Sequence, residues 1–316
     1  MIHYRALAWL STTLYCAAAV LLLSGECQAA TPDDSGKGKP SRQKEYQVIL
    51  RPERFSSRAA GVKKFLNYLQ QVEDDLKQDG KKTFRYIKDT GENEKREAIF
   101  FDTTDGSFKK AHYAVRYRRV LEEWVPNASD WMKPKNARGE LTIKHNADQE
   151  ALALGAELTP ADDYRGKWDA KIEQDLYQPE FKKYGYSVTL YGKRFRKSID
   201  SPARLKDVAS LAKLFPKFTK SQELSDQAVP LVRQPEYRWS RDEIQLAMGE
   251  KMQCKGTLSL VYDTRGTMDA GNSAPRKIEF SWRLKQGQPN WKARATKVSE
   301  VVRKHLWNGK WAVETP

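Results

Sequence analysis

Ten short segments of this chain alternate apolar with polar residues, and in several of them the polar positions are ionised. They span 45–51, 83–88, 96–102, 111–120, 140–146, 171–177, 187–197, 237–246, 257–263 and 277–285, and Gly, Pro and Asn fall between them. A period of two is the mark of a β-strand whose two faces meet different surroundings. In 113–119, Tyr113, Val115 and Tyr117 share one face while Ala114, Arg116 and Arg118 share the other. Leu141 and Ile143 likewise oppose Thr142 and Lys144. Ile172 and Gln174 oppose Lys171, Glu173 and Asp175; Ile278, Phe280 and Trp282 oppose Glu279, Ser281 and Arg283.

Helical spacing occurs in three places. Val62, Phe65, Leu69, Val72 and Leu76 form one stripe, with Ser56 or Ser57 as cap and Gly80 beyond its end. Leu205, Val208, Leu211 and Phe215 form a second behind a Ser201 cap and Pro202, and Val298, Val301, Val302 and Leu306 form a third. Many strands with few helices between them predict an α+β fold, mainly an antiparallel barrel or sandwich with packing helices. One polar sheet face ordinarily looks into solvent. If the helices instead cover the apolar outside of a closed sheet, the charged face must line the lumen. A lumen of mixed charge can hold phosphate oxygens on its cations and a divalent ion on its carboxylates.

Residues 1–30 combine Arg5, an apolar run over 6–23 and the small-residue stretch Cys27-Gln28-Ala29-Ala30, which predicts a cleaved export signal. Ser11, Thr12 and Thr13 interrupt the apolar run, so no stable membrane insertion is expected after cleavage. Residues 31–44, rich in Pro, Gly, Ser and charge, predict a flexible linker, and 45–316 the folded domain. Cys254 is the one cysteine outside the signal region, so the domain has no internal disulfide; a periplasmic or secreted bacterial protein is expected.

The chain holds 56 Lys and Arg against 41 Asp and Glu, a formal charge of +15. Such an excess concentrates phosphates, nucleic acids or acidic glycans nearby, although scattered lysines can also serve solubility alone. The basic run 192–197 could track a nucleic-acid backbone or be a solvated hairpin. No Gly-rich phosphate loop, Gly-x-Ser-x-Gly elbow or His-Glu-x-x-His motif is present. His145 falls on the apolar phase of its strand and is expected to be packed; Cys254 is expected to act as a small hydrophobe. Most of the tryptophans are expected in the core or at a barrel mouth.

Taken in order, several motifs resemble the CYTH superfamily of triphosphate tunnel metalloenzymes. They are Glu45-Tyr46-Gln47, then Phe100-Phe101-Asp102-Thr103, Val115-Arg116-Tyr117-Arg118, Leu141-Thr142-Ile143-Lys144, Lys171-Ile172-Glu173-Gln174-Asp175 and Ile278-Glu279-Phe280. The resemblance runs from about Glu45 to Leu306 and implies an eight-stranded antiparallel closed tunnel. It also implies that Arg116, Arg118, Lys144, Lys171 and Arg238 bind phosphate oxygens, and that Glu45, Glu173, Asp175 and Glu279 hold Mg²⁺ or Mn²⁺. Gln47 and Ser281 stand where the family carries carboxylates, and neither brings charge to a cation. Two functions follow as expectations. One is metal-dependent hydrolysis of inorganic triphosphate or polyphosphate, and the other is a non-catalytic exported module that captures a polyanion.

Overall fold

A computed structural model of the chain describes residues 40–78, 85–89, 93–121, 139–162, 164, 167–176, 182–191, 205–222, 229–247, 253–284 and 291–313. The expected signal, most of the linker, the basic run 192–197 and the Ser201-Pro202 pair lie outside the described residues. Lys39–Pro316 forms one unit by its internal contacts.

Strands occupy all ten alternating segments. They are β1 (Ser41–Leu50), β2 (Arg85–Asp89), β3 (Asn93–Thr103), β4 (Tyr113–Leu121) and β5 (Glu140–Ala147), followed by β6 (Lys167–Leu176), β7 (Lys182–Tyr191), β8 (Leu231–Ala247), β9 (Gln253–Tyr262) and β10 (Lys277–Leu284). β1 opens at Ser41 rather than Glu45, which carries Arg42 and Lys44 into the sheet. Nine strands close a ring in the order β8-β3-β4-β5-β7-β6-β1-β10-β9, with β9 pairing back onto β8. β2 pairs with the far half of β8, Arg85 lying opposite Ala247, and stands outside the ring.

This ring differs from an eight-stranded antiparallel tunnel in two linked ways. Neighbours can alternate in direction all the way round only when their number is even, so nine strands force at least one parallel pair. That pair is β1 and β6, in register from Ser41 opposite Lys171 to Tyr46 opposite Leu176. Every other pairing in the ring is antiparallel.

The apolar faces of the strands point outward, under helices. On one side α1 (Arg58–Gln78) and, near the C-terminus, an 18-residue helix (Trp291–Asn308) cover β1, β8, β9 and β10. Phe65 lies edge-on to Phe280 with ring centroids 5.0 Å apart, and Tyr46 stacks on Trp282 at 5.6 Å. On the other side short helices cover β3, β4, β5 and β7: α2 (Ser107–Lys110), α3 (Glu150–Leu154), α4 (Val208–Ala212) and α5 (Pro216–Ser221). α6 (Arg265–Ala270) follows β9, and the C-terminal helix is α7. Burying both outer faces under helices removes apolar surface from water on both sides of the ring. It also leaves the lumen as the place where the polar faces meet.

The second helical stripe is buried as expected, but a single helix does not carry it. Asp207, not Ser201, caps α4: its side chain accepts from Ser210 N at 2.8 Å, and Ser210 Oγ accepts from Asp207 N at 3.3 Å. Pro216 opens α5, and a residue before proline is disfavoured in the α region, so Phe215 sits at φ −135° and breaks the stripe into two helices. Asp207→Ala should therefore cost about 1 kcal/mol in a urea titration. A midpoint unchanged from the parent would show that the box contributes nothing.

Candidate functional site

Alternation along the ring turns Glu94, Arg96, Arg116, Arg118, Glu140, Lys144, Lys171, Glu173, Asp175, Arg238 and Glu279 to one side, opposite to the helix-covered core residues of the same strands. Two charged regions result, and they differ in composition.

The first is built where β1 meets β6. Glu173 and Asp175 are two residues apart on one strand face, and the parallel register sets Gln43 opposite Glu173 and Glu45 opposite Asp175. One carboxylate oxygen from each of Glu45, Glu173 and Asp175 lies within 4.8 Å of the others. Glu173 and Asp175 are each only 4% exposed. Cations surround them: Lys144 Nζ donates to Asp175 Oδ2 at 2.7 Å and reaches Glu173 Oε2 at 3.5 Å. Lys171 Nζ donates to Glu173 Oε1 at 2.7 Å, and Arg283 lies 3.1 Å from Glu45 and 3.7 Å from Glu173.

These neighbours set the protonation of the region. Burial would raise the Glu173 pKa, but the charges of Lys171 and Lys144, the hydrogen bond from Lys171 and the charge of Arg283 bring it down to about 2. At Lys171 burial wins instead and lowers the ammonium pKa in spite of Glu173, because one carboxylate serves several cations.

The second region gathers guanidinium groups. Arg118 Nη2 donates to Glu140 at 2.5 Å, and Arg96 chelates Glu94 on its own strand. Arg238 lies 3.2 Å from both Glu236 and Glu279. Arg116 differs: its Nε is buried without a hydrogen-bond partner, and it makes no ion pair among the described residues. Burial, then the neighbouring charges of Arg118 and Arg238, push the Arg116 pKa down to about 10. Water can still touch this side chain inside the tunnel although protein surrounds it.

Of the acids expected to hold a metal, Glu45, Glu173 and Asp175 come together and Glu279 stands apart. Glu45 pairs with Arg283 across β1 and β10, whereas Glu279 pairs with Ile49, four residues along. Glu279 is held there by Lys277 and Arg238, whose charges lower its pKa against the opposing effect of burial. Of the cations expected to bind phosphate, Arg118 and Arg238 sit within electrostatic reach of Arg116, while Lys144 and Lys171 belong to the carboxylate region.

Several lumen residues escaped the sequence argument. Arg283 shares the polar face with Glu279 in the sequence pattern but carries no role there; Lys277 follows the same alternation and could have been found from it. Glu94 lies just before the segment assigned to β3. Asp242 keeps the phase of Arg238 and Ser240 at the start of a register shift between Arg241 and Ile244, so the alternation extends to it as well. Burial and a hydrogen bond with Glu94 raise the Asp242 pKa, while Arg96 holds Glu94 low against its own burial.

Other candidates stay outside the tunnel. His145 packs on Tyr113 with ring centroids 4.5 Å apart, and burial lowers its pKa. Cys254 is buried, and its thiol is pushed up to about 12. Trp239, Trp282 and Trp311 lie in the α1/α7 core. Asp102 is a structural cap, accepting backbone N–H groups from Thr103 at 2.8 Å and Phe108 at 2.9 Å.

No family model matches this chain, and no curated protein matches it. Among solved structures it is similar to HpAC1 from Hippeastrum, whose description names a dominant triphosphatase activity, at 11% identity and a TM-score of 0.39, over 86% of this chain and 91% of that one. It is similar also to a candidate adenylate cyclase, bh2851, from Bacillus halodurans, at 11% identity and a TM-score of 0.37, over 87% of this chain and 94% of that one. A third likeness is to the PH1819 protein of Pyrococcus horikoshii OT3, at 11% identity and a TM-score of 0.33, over 83% and 89%.

Proposed function

We propose that the tunnel binds inorganic triphosphate, polyphosphate or a related phosphorylated anion, and that the protein does so after export to the periplasm or beyond. The observation that carries this reading is Arg116, a part-buried guanidinium whose Nε is buried without a hydrogen-bond partner and which makes no ion pair among the described residues, set beside Arg118 and Arg238. Three guanidinium groups crowded in one lumen repel one another. A chain of phosphate oxygens would relieve that repulsion and accept several charge-assisted hydrogen bonds. Lys144 and Lys171 extend the cationic wall toward β6.

The carboxylate region suits a hard divalent cation, since three oxygen donors converge within 4.8 Å. Glu45, Glu173 and Asp175 would hold Mg²⁺ or Mn²⁺, which would act as a Lewis acid on phosphate oxygens. Arg116 and Arg118 would bind and orient the phosphate chain, and burial under two helix layers would limit access of bulk water to it.

A second reading, capture without hydrolysis, is favoured by one feature of the carboxylate region: all three of its acids are already ion-paired by Lys144, Lys171 or Arg283. Calorimetric titration with tripolyphosphate, followed by a phosphate-release assay with Mg²⁺ or Mn²⁺, separates the two. Release that a chelator abolishes assigns a hydrolase, and binding without release assigns the capture module. A titration with no heat and no release would remove both.

A further inference from the structure

Lys144 crosses to the carboxylates by a route that depends on one residue. Its own level in the sheet is set by Ser187 on β7 and Lys171 on β6, one pleat away from Glu173, which pairs with Gly185. To reach Glu173 and Asp175 the lysine stem must lean over Gly185. A Cβ at position 185 would collide with Lys144 Cε and stand 2.7 Å from Nζ. Glycine at this point in a strand leaves room for the contact as it stands, because a side chain there would force the end of the lysine aside.

The charges of the region explain what that contact does. Three carboxylates face three cations: Lys144, Lys171 and Arg283. A divalent ion entering this balanced cluster gains little attraction, and the oxygens it needs are those that Lys144 already occupies. Lys171 and Arg283 are held by Glu173 and Glu45 alone among the described carboxylates, so they stay with the acids. Lys144 is different, for it sits on β5 two residues from Thr142, and Thr142 pairs directly with Arg116. A lysine ammonium is a compact charge on a flexible stem, so it can turn from the carboxylates toward a phosphate held at Arg116.

We propose that Lys144 is a tethered cation that occupies the Glu45–Glu173–Asp175 cluster until a phosphate ligand withdraws it, so that metal entry and phosphate binding are coupled. The withdrawal half rests on the phosphate-binding reading; the occupancy half does not. By linkage, whatever draws Lys144 away strengthens metal binding, and metal in turn strengthens ligand binding by the same factor.

The test uses the free-ion EPR signal of Mn²⁺ titrated into the protein with no phosphate present. Lys144→Gln is expected to bind Mn²⁺ on the order of tenfold more tightly than the parent. Gly185→Ala, which keeps the ammonium but blocks its path, should move in the same direction, and Lys144→Arg, which keeps a charge, should not. Circular dichroism melts of each variant establish that it is folded. If the folded Lys144→Gln and Gly185→Ala proteins bind Mn²⁺ no more tightly than the parent, the proposal is overturned. Orthophosphate is then added: the parent should tighten toward the value of Lys144→Gln, and Lys144→Gln should not change. A gain in Lys144→Gln with no effect of orthophosphate on the parent would sustain the tethered cation and count against ligand-driven withdrawal. Absence of tripolyphosphate binding in calorimetry would count against the proposed function and with it the withdrawal half, while the Mn²⁺ affinities of the variants without phosphate still decide the occupancy half.

Discussion

Arg116→Met is expected to make the ligand-free protein more stable and to weaken its binding of tripolyphosphate. Most substitutions of buried residues lower stability, so the sign is diagnostic. Arg116 is desolvated, lies beside two like charges and makes no ion pair among the described residues, which together hold its pKa down at about 10. A depression of that kind means that the folded protein bears a penalty for this charge on the order of a few kcal/mol. Methionine removes the charge at similar length but loses the contacts of the guanidinium, so we expect a net gain of about 1 kcal/mol, or some 2–4 °C in melting temperature. Truncating a buried charged partner of a phosphate typically costs 2–5 kcal/mol, so tripolyphosphate affinity should fall roughly thirtyfold or more. Calorimetric melts with and without tripolyphosphate read both effects. A lower melting temperature in the free variant would mean that Arg116 stabilises the fold and is not poised for a ligand.

Glu173→Gln should have the opposite effect on the free protein. Glu173 is the buried carboxylate shared by the part-buried Lys171 and Lys144 and the more exposed Arg283, and a neutral amide would leave those cations with one fewer counter-charge. Removing one partner from a buried charge cluster typically costs 3–5 kcal/mol. The loss should depend on pH in a defined direction. The Glu173 carboxyl titrates near 2 when folded, below its ordinary 4.5, so its contribution is complete above about pH 4.5 and disappears as the pH falls toward 2. Urea titrations at pH 7 and pH 2.5 should show the gap between parent and variant narrowing at the lower pH. A gap of equal size at both would mean that the carboxylate charge is not its source.

The outer scaffold was largely legible before the coordinates. Strand residues buried on one side only must alternate, and Val115, Tyr117, Leu141, Ile143, Ile278, Phe280 and Trp282 all fall in the two outer cores as their phase predicts. The second helical stripe was legible as buried but not as broken, because the break depends on how Pro216 constrains Phe215 and on Asp207 closing a capping box. Asp242 was legible as a polar-face residue, in phase with Arg238 and Ser240, but not as the partner of Glu94, because that contact depends on the pairing of β3 with β8.

What the sequence by itself determined is which side chains share a face, and hence that many ionised groups had either to meet water or to meet one another. That follows from a strand's two-residue period, a property of each segment alone. Which of those groups meet was decided only by closure of the sheet. The odd number of strands requires a parallel pair, that pair is β1 and β6, and its register brings Glu45 to Glu173 and Asp175. The antiparallel register of β1 with β10 carries Glu279 four residues away to Arg238. Register between strands distant in sequence is a property of the whole ring, so no single segment could have announced that Glu173 would be crowded with cations while Arg116 makes no ion pair among the described residues.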